Sequence, residues 1–194
     1  MICRVLFFCV LAACSGEKKQ TYSFVDVPEN LLREGDLVFR RGSGLESDLV
    51  VALDEVGIYS HIGIVVKDSL KGWQVIHAVP GEQELAKEPD YVKMDSIALF
   101  FRSDRANCGA VMRLKNEARK CENAALRARQ LYEQKMLFDH SYHLYDTTTM
   151  YCTELVDFVF RREGIFLYKE VVDKKYLLPG DIQVNKGLEE IFRF

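Results

Sequence analysis

Two short apolar segments joined by a polar connection place the strongest constraint on how this 194-residue chain can fold. The first segment runs from His61 to Val66 and the second from Trp73 to Val79, and both are rich in the β-branched residues that favour strands. The residues between them end in Gly72 and have the length of a hairpin connection. The pattern predicts an antiparallel pair of strands whose turn is centred near residue 69.

The rest of the chain predicts further strands and three helices. Helical spacing is clearest from Glu117 to Met136, where small or apolar side chains recur at alternating steps of three and four: Ala118, Cys121, Ala125, Ala128 and Tyr132. A second helix is predicted from Cys152 to Glu163, and a short one from Leu45 to Leu53. Apolar runs predict three more strands, at Leu37–Phe39, Ile97–Phe101 and Ala110–Leu114. Strands in the middle with helices around them predict an α+β domain built on an antiparallel sheet.

The composition is typical of one globular domain. Hydrophobic residues make up 48% of the chain and charged residues 28%, which supplies enough apolar side chain for a core. The formal net charge is −3, and the 26 Lys and Arg residues are scattered among 29 Asp and Glu residues. Because the sequence contains no basic arm, we expect no nucleic-acid partner.

The first residues have the pattern of an export signal. Arg4 precedes an apolar run from Val5 to Ala13, which is far shorter than the ~20 residues that span a bilayer as a helix. The run ends in Leu11-Ala12-Ala13-Cys14, which resembles the bacterial lipobox, whose cysteine is lipidated and becomes the mature N-terminus. We expect a signal peptide at 1–13, a lipidated N-terminus and tether at 14–30, and the folded domain at 31–194. The alternatives are a short membrane anchor or a wrongly assigned start.

Export and lipidation predict a location in the cell envelope, where the acyl chains on Cys14 hold the protein on a bacterial membrane. With Cys3 and Cys9 in the predicted signal peptide, three cysteines remain in the folded domain: Cys108, Cys121 and Cys152. In an oxidising compartment Cys108 and Cys121 can pair as a disulfide. The alternative is that Cys121 is a free thiol on the apolar face of a helix, where it acts as a small hydrophobic side chain.

Cys152 has the position expected of a nucleophile. It opens an amphipathic helix, and the partial positive charge and unpaired N–H groups of a helix N-terminus stabilise a thiolate and can bind an oxyanion. A turn centred near residue 69 would place His61 opposite His77, within reach of a hydrogen bond. His61 can then serve as the base and His77 as the partner that orients it. The alternative for each residue taken alone is a structural role in the core.

His140 and His143 suggest a weaker hypothesis. They are three residues apart, and a metal site with Asp139 or Asp146 is conceivable. Histidines in loops are more often simple surface residues than metal ligands. We therefore expect no metal and no cofactor.

Three motifs resemble a known family. Arg33-Glu34-Gly35-Asp36-Leu37-Val38-Phe39, Ser60-His61-Ile62-Gly63-Ile64-Val65 and Tyr151-Cys152-Thr153-Glu154-Leu155-Val156 are similar to motifs of the circularly permuted papain-like amidases of the YaeF/YiiX type, relatives of the NlpC-type cell-wall cysteine peptidases. The resemblance implies a papain-like antiparallel sheet packed on the helix that begins at the catalytic cysteine. It also implies that Cys152 is the nucleophile, that His61 is the base and that His77 takes the third, orienting position, which is often acidic in this family.

The resemblance implies an envelope cysteine amidase or peptidase acting through an acyl-enzyme, with a peptide, a cell-wall fragment or a lipid-linked amide as substrate. Two alternatives stay open: a lipid acyl hydrolase or acyltransferase that uses the same residues, and a non-catalytic binding lipoprotein. A long apolar groove beside Cys152 would favour the lipid enzyme, whereas a polar, charged groove would favour the amidase.

Overall fold

The computed structural model describes residues 21–81, 88–144, 148–169 and 175–194, so the predicted signal peptide and Cys14 lie outside the described residues. The strands are β1 (Leu37–Arg41), β2 (His61–Asp68), β3 (Gly72–Ala78), β4 (Val92–Ser96), β5 (Cys108–Leu114), β6 (Leu137–Phe138), β7 (Thr149–Met150) and β8 (Leu188–Arg193). The helices are α1 (Leu45–Leu53), α2 (Ile97–Phe100), α3 (Ala118–Glu133), α4 (Cys152–Arg161) and α5 (Pro179–Gln183), and Glu29–Leu31 forms a 3-10 turn.

Six of the strands form one antiparallel sheet in the order β4-β3-β2-β1-β5-β8, and β6 and β7 form a small parallel pair. Helices α3 and α4 pack on one face of the sheet, where they cover the large core that contains Ile62, Ile64 and Ile76. The other face carries a second core around Val65 and Phe100, covered by α2 and the segment before β1. The predicted α+β class is confirmed.

The hairpin register differs from the predicted one. Ile64 pairs with Ile76 and Asp68 with Gly72, so the turn is centred at residue 70 rather than 69. Gly72 adopts a φ of +74°, which fits the tight turn. Extending this register places His77 opposite Gly63, so the prediction that His61 faces His77 directly is wrong. The two histidines are diagonal neighbours on the same face of the sheet.

The predicted strand at Ile97–Phe101 is also wrong, because the strand ends at Ser96 and a helical turn follows. The Ser96 hydroxyl accepts a hydrogen bond from the Leu99 N–H at 3.2 Å and caps this turn. The apolar side chains of the segment are then buried at helical spacing, with Ile97 and Phe100 three residues apart. A continuous apolar run without polar alternation does not distinguish the two structures.

Helices α1, α3 and α4 occur where the spacing predicts them: α1 has the predicted bounds, and α3 and α4 are shorter than predicted. Helix α3 stops at Glu133 because Lys135 takes a left-handed φ of 54° and the chain turns back, with Met136 N–H donating to the Leu131 carbonyl. Helix α4 begins at Cys152, as predicted, and Gly164 follows its end with a φ of +71°.

Cys108, Cys121 and Cys152 are all free thiols, so the possible Cys108–Cys121 disulfide is not formed. The last part of the predicted tether contacts the domain: Val27 is buried in the second core. Within the described ranges, no helix is both long and apolar enough to cross a membrane.

Candidate active site

The imidazoles of His61 and His77 form a buried pair on the α2 face of the sheet. His61 Nε2 and His77 Nδ1 are 2.8 Å apart, and the rings meet edge to face. Phe100 of α2 stacks on the His61 ring and contacts the His77 ring edge-on. His61 is 7% exposed and His77 is fully buried. The hydrogen-bonding contact that the sequence predicts is therefore present, although it joins diagonal positions.

Gly63 makes room for this pair. A Cβ atom at position 63 would lie 2.5 Å from the Val75 Cγ1 atom and 3.2 Å from the His77 Cβ atom. Both distances are shorter than ordinary van der Waals contacts. Glycine at position 63 therefore leaves room for the Val75 and His77 side chains of β3 beside β2.

A carboxylate that the sequence analysis missed extends the pair. Asp95 Oδ2 lies 3.3 Å from His77 Nε2, and the Asp95 residue is only 8% exposed. In the β3–β4 register His77 pairs with Lys93, so Asp95 is two residues further along and diagonal to His77. The stagger from His61 to His77 is repeated from His77 to Asp95. Only the register of three strands reveals this relation, and the sequence contains no local signal for it.

Arg105 contacts the same carboxylate oxygen as His77. Arg105 Nη1 donates to Asp95 Oδ2 at 2.8 Å. Burial raises the pKa of Asp95, but the hydrogen bond from His77, followed by the charges of Lys93 and Arg105, outweighs burial and lowers this pKa. Asp95 is therefore an ionised acceptor at neutral pH.

When both rings are neutral, only one arrangement of protons satisfies the chain of three groups. A carboxylate can only accept, so His77 donates to Asp95 from Nε2. His77 Nδ1 then has a lone pair and accepts from His61 Nε2–H. The remaining nitrogen of His61, Nδ1, carries no proton. The network thus leaves His61 Nδ1 as a basic nitrogen.

His61 resists protonation in this environment. Burial, followed by the positive charge of Arg40 and then by His77, holds the pKa of His61 well below its usual value near 6.5. Arg40 pairs with His61 across β1 and β2, and its guanidinium donates to the Phe100 carbonyl at 2.9 Å. His61 is therefore a neutral base at physiological pH.

Cys152 stands at the first position of α4, on the opposite side of β2. Two hydrogen bonds with the Leu177 backbone fix the start of this helix. The Thr153 hydroxyl donates to the Leu177 carbonyl at 2.6 Å, and the Leu177 N–H donates to the Tyr151 hydroxyl at 3.0 Å. The backbone N–H of Ile62 donates to the Cys152 sulfur. Because Ile62 follows His61 directly, the thiol lies at the same end of β2 as the imidazole pair.

The expected thiolate is not the resting state of this cysteine. Burial raises the pKa of the Cys152 thiol, and the N–H groups of Ile62, Thr153 and Cys152 itself only partly counteract this effect. The helix N-terminus was expected to stabilise the anion, but desolvation of the sulfur dominates. The resting site therefore contains a thiol and a neutral imidazole.

Cys152 and His61 line one cleft of about 350 Å³. Much of its lining is polar and includes Ser43, Glu46, Ser47, Ser60, Asp104 and Arg105. The rest is apolar or aromatic and includes Val79, Pro80, Phe138, Tyr142 and Tyr151. The cleft is thus a mixed groove that combines charged groups with a larger apolar and aromatic surface.

Asp139 shapes the loop beside this cleft. Its carboxylate accepts from the Ser141 N–H at 2.8 Å, from the Ser141 hydroxyl at 2.6 Å and from the His143 N–H at 2.7 Å. Within this turn Tyr142 adopts a left-handed φ of 54°, and its ring packs against Tyr151. Asp139, to which the sequence analysis assigned no role outside a possible metal site, therefore positions the Tyr142 ring in the cleft wall.

The possible metal site is not assembled among the residues that the structure describes. His140 Nε2 lies 3.2 Å from Asp90 Oδ2, and both oxygens of Asp139 are occupied by the hydrogen bonds of its own turn. Asp146 lies outside the described ranges. In the described ranges, no three His, Cys, Asp or Glu side chains are grouped so that they could hold a metal ion.

Comparison with known proteins finds a similar solved structure. No protein-family model matches the sequence, and no curated protein matches it significantly. Among solved structures, the metalloprotein YiiX from Escherichia coli O157:H7 superimposes with a TM-score of 0.67, covering 84% of this chain and 97% of YiiX at 16% sequence identity. The chain has the YiiX fold.

The match to YiiX confirms, at the level of the fold, the resemblance that the three sequence motifs suggested. YiiX is described as a metalloprotein. In this chain, His61, His77 and Asp95 hydrogen-bond to one another instead of converging on a shared point, and Arg105 holds the carboxylate. These residues do not fit a metal centre.

Proposed function

We propose that this protein is a cysteine hydrolase in which Cys152 is the nucleophile, His61 the general base and His77 the residue that orients His61. The observation that carries the proposal is the buried His61–His77 contact at a cleft that also contains Cys152. With His77 donating to Asp95, this contact leaves His61 Nδ1 without a proton and able to accept one. A nucleophile, a base and an orienting group are the minimum set for acyl transfer.

In the first half of the reaction, the Cys152 sulfur attacks the substrate carbonyl carbon while its proton passes to His61 Nδ1. The carbonyl oxygen becomes an oxyanion, and the Cys152 N–H at the start of α4 is suited to donate to it. The His61 imidazolium then protonates the leaving amine, the C–N bond breaks, and a thioester forms. In the second half, His61 deprotonates a water that attacks the thioester and releases the acid and the thiol.

The protonation states of the site suit this sequence. A His61 with a low pKa forms an imidazolium only while the sulfur is bonding to carbon, and this imidazolium is a strong acid towards the leaving amine. Because the pKa of Cys152 is raised, proton transfer accompanies the attack rather than preceding it. We therefore propose a mechanism with general-base activation instead of a resting thiolate–imidazolium pair.

The order of the motifs supports a circularly permuted papain-like fold. The histidine strand precedes the cysteine helix along the chain, and α4 packs against β2 of the antiparallel sheet. In papain-like enzymes without permutation the cysteine comes first. We propose that this chain is a permuted member of that group.

The charged residues of the cleft favour an amide or peptide substrate. Glu46, Asp104 and Arg105 present charges of both signs to the cleft that contains Cys152. Such groups can pair with the amide, ammonium and carboxylate groups of a peptide. We therefore propose stem peptides of the cell wall, or other amide-linked peptides, as the leading substrate class.

One observation favours a lipid substrate as the second candidate. Helix α1 has no buried residue, and it exposes Leu45, Leu49 and Leu53, of which Leu45 is 89% exposed. The same helix contributes Glu46 and Val50 to the cleft lining. An acyl chain that leaves the cleft along α1 would cover this apolar surface.

The test is hydrolysis of a panel that contains stem-peptide amides and long-chain acyl lipids. Cys152→Ser is expected to lower kcat/KM by at least ~10³-fold, because a hydroxyl is less acidic and less nucleophilic than the thiol around which the site is arranged. Cys108→Ser, which replaces another half-buried cysteine outside the cleft, is the matched control and should retain activity. Mass spectrometry of a slow substrate should find the acyl group on Cys152.

The outcomes separate the candidates. Turnover of amides supports the amidase, and turnover restricted to long-chain acyl lipids supports the second candidate. A folded protein that turns over neither class and never acquires an acyl group would leave the binding lipoprotein as the remaining interpretation.

We also propose that the protein works in the cell envelope, held on a membrane by lipid on Cys14. The lipobox-like tetrapeptide and the short apolar run before it support this location. An anchored hydrolase would act close to membrane-attached or cell-wall substrates.

A further inference from the structure

The buried carboxylate of Asp95 binds two donors from different parts of the fold, which packing alone does not require. One oxygen, Oδ2, receives both the His77 Nε2–H and the Arg105 guanidinium. The side chain of Asp95 is 10% exposed, that of Arg105 is 18% exposed, and that of His77 is fully buried. A buried carboxylate costs free energy unless it is paired, and here its partner on one side is an imidazole of the proposed site.

We propose that Asp95, anchored by Arg105, is a positioning residue that sets the tautomers of both His77 and His61. This inference rests on the proposed function and adds a fourth member to its site. Asp95 does not touch the substrate or the sulfur; it acts through two imidazole rings in series.

The reason lies in the proton count of neutral imidazoles. Each neutral ring has one N–H, so the choice made at His77 dictates the choice at His61. If His77 is protonated on Nδ1, it donates to His61 Nε2, and the proton of His61 then lies on Nδ1, where it blocks the base. An acceptor beside His77 Nε2 is needed to select the tautomers that leave His61 Nδ1 unprotonated, and Asp95 is that acceptor.

Charged groups around the hydrogen-bonded row of Asp95, His77 and His61 favour an ionised carboxylate and a neutral His61. Asp95 faces His77, Lys93 and Arg105, and the two cations keep it ionised. His61 faces Arg40 as well as His77, and the positive charge of Arg40 opposes protonation of His61. The carboxylate therefore orients the rings without being positioned to convert His61 into an imidazolium.

The sharpest test removes the acceptor. Because His77 and Arg105 contact the same Asp95 oxygen, an amide oxygen at that position would still accept from both, whereas Asp95→Ala leaves no acceptor. Arg105 then remains as a donor beside His77 Nε2, so both rings are expected to reverse their tautomers. The matched control is Asp48→Ala, which changes an exposed aspartate of α1 that pairs with Arg41.

Tautomers are read directly by two-bond ¹H–¹⁵N correlation on the full chain labelled with ¹⁵N-histidine. The chain contains only four histidines, and His140 and His143 serve as internal references. In the parent protein at pH 7.5 we expect His61 and His77 both to be protonated on Nε2. In Asp95→Ala we expect both to be protonated on Nδ1, with no change in the references, and Asp48→Ala should resemble the parent.

The kinetic readout follows from the same reasoning. For any substrate that Cys152 hydrolyses, Asp95→Ala should lower kcat roughly 10- to 100-fold with little change in KM, because it alters a group behind the base and not the cleft. Asp95→Glu, which retains a carboxylate, should restore part of kcat. A variant that lost activity only through poor packing would not recover in this way.

The spectra distinguish failure of this inference from failure of the proposed function. Nδ1–H or doubly protonated rings in the parent protein, or unchanged tautomers in a folded Asp95→Ala, would overturn the inference, and the parent spectrum alone suffices if the variant does not fold. If the tautomers behave as expected but Cys152→Ser leaves hydrolysis intact, the positioning role of Asp95 stands and the catalytic proposal fails.

Discussion

At the scale of single residues, the site depends on a competition between desolvation and local dipoles. The N-terminus of α4 and the nearby N–H groups favour a Cys152 thiolate, yet burial raises its pKa. His61 shows the same dominance of burial, reinforced by Arg40. Two neutral partners in a buried site avoid the large free-energy cost of desolvating two charges.

Arg40 gives a direct test of this balance. Arg40→Gln removes the positive charge beside His61, so the pKa of His61 should rise towards 6.5. We expect the acidic limb of the pH profile of kcat/KM, and the NMR titration of His61, to move to higher pH. Arg41→Gln changes a neighbouring, more exposed arginine that pairs with Asp48, and it should leave both curves in place. Equal shifts in the two variants would contradict the assignment.

The same substitution should appear in stability measurements. Because the folded-state pKa of His61 lies below its unfolded value near 6.5, the unfolded chain binds more protons at acidic pH. His61 therefore contributes stability that is present above pH 6.5 and is lost as the pH falls towards the folded-state pKa. Arg40→Gln should lose less of its free energy of unfolding over this range than the parent protein does.

At the scale of elements, the hairpin of β2 and β3 is the part of the fold that creates the histidine pair. Its register puts Gly63 opposite His77, and a diagonal step then brings the two imidazoles together. The next hairpin repeats this step and adds Asp95 from β4. Three adjacent strands therefore present one continuous hydrogen-bonded row on the α2 face.

Gly63→Ala tests this close approach. The added methyl group would lie 2.5 Å from Val75 Cγ1, so β2 and β3 must separate or His77 must move. We expect the free energy of unfolding to fall by ~1–3 kcal/mol, as overpacking usually costs, together with loss of the His61–His77 contact. Gly44→Ala is the control, because nothing lies within 4 Å of a Cβ at that position. A Gly63→Ala protein as stable and active as the control would refute this account of the hairpin.

At the scale of the whole molecule, the sheet separates the two halves of the proposed site. Helix α4 brings Cys152 over the face that also packs α3, whereas the imidazoles lie on the face covered by α2. They meet at the end of β2, where the cleft opens. Asp54 ties the wall formed by α1 to α5 by accepting from the Gly57 and Gly180 N–H groups at 2.9 and 2.6 Å. The cleft is therefore lined by segments that are far apart in the sequence, from Arg40 to Cys152.

The proposed anchor also belongs to this scale, since it decides where the whole domain works. In a bacterial host, full-length protein should incorporate a fatty-acid label and sediment with membranes. Cys14→Ser should lose the label and shift most of the protein out of the membrane fraction, because the acyl chains supply the attachment. Cys9→Ser, a cysteine in the preceding apolar run, should behave like the parent. Retention of label in Cys14→Ser would rule out lipidation at this residue.

The sequence by itself determined features that depend on neighbours along the chain. Spacing of apolar residues predicted α3, α4 and the β2–β3 hairpin, and it placed Cys152 at a helix start, because the period of a helix or strand is a local property. Three motifs in order were enough to suggest the YiiX-type fold. These inferences needed no knowledge of which segments pack together.

Only the tertiary structure decided the register, the protonation states and the role of Asp95. A one-residue difference at the turn changed the facing pair into a diagonal pair, and residues 97–100 became a helical turn because Ser96 caps it. The pKa of Cys152 follows from burial, which arises when α4 packs against β2. Asp95 joins the site through strand pairing with β3, and Arg105 reaches it from outside the strand. Register and burial are set by contacts between distant segments, so no local pattern in the sequence encodes them.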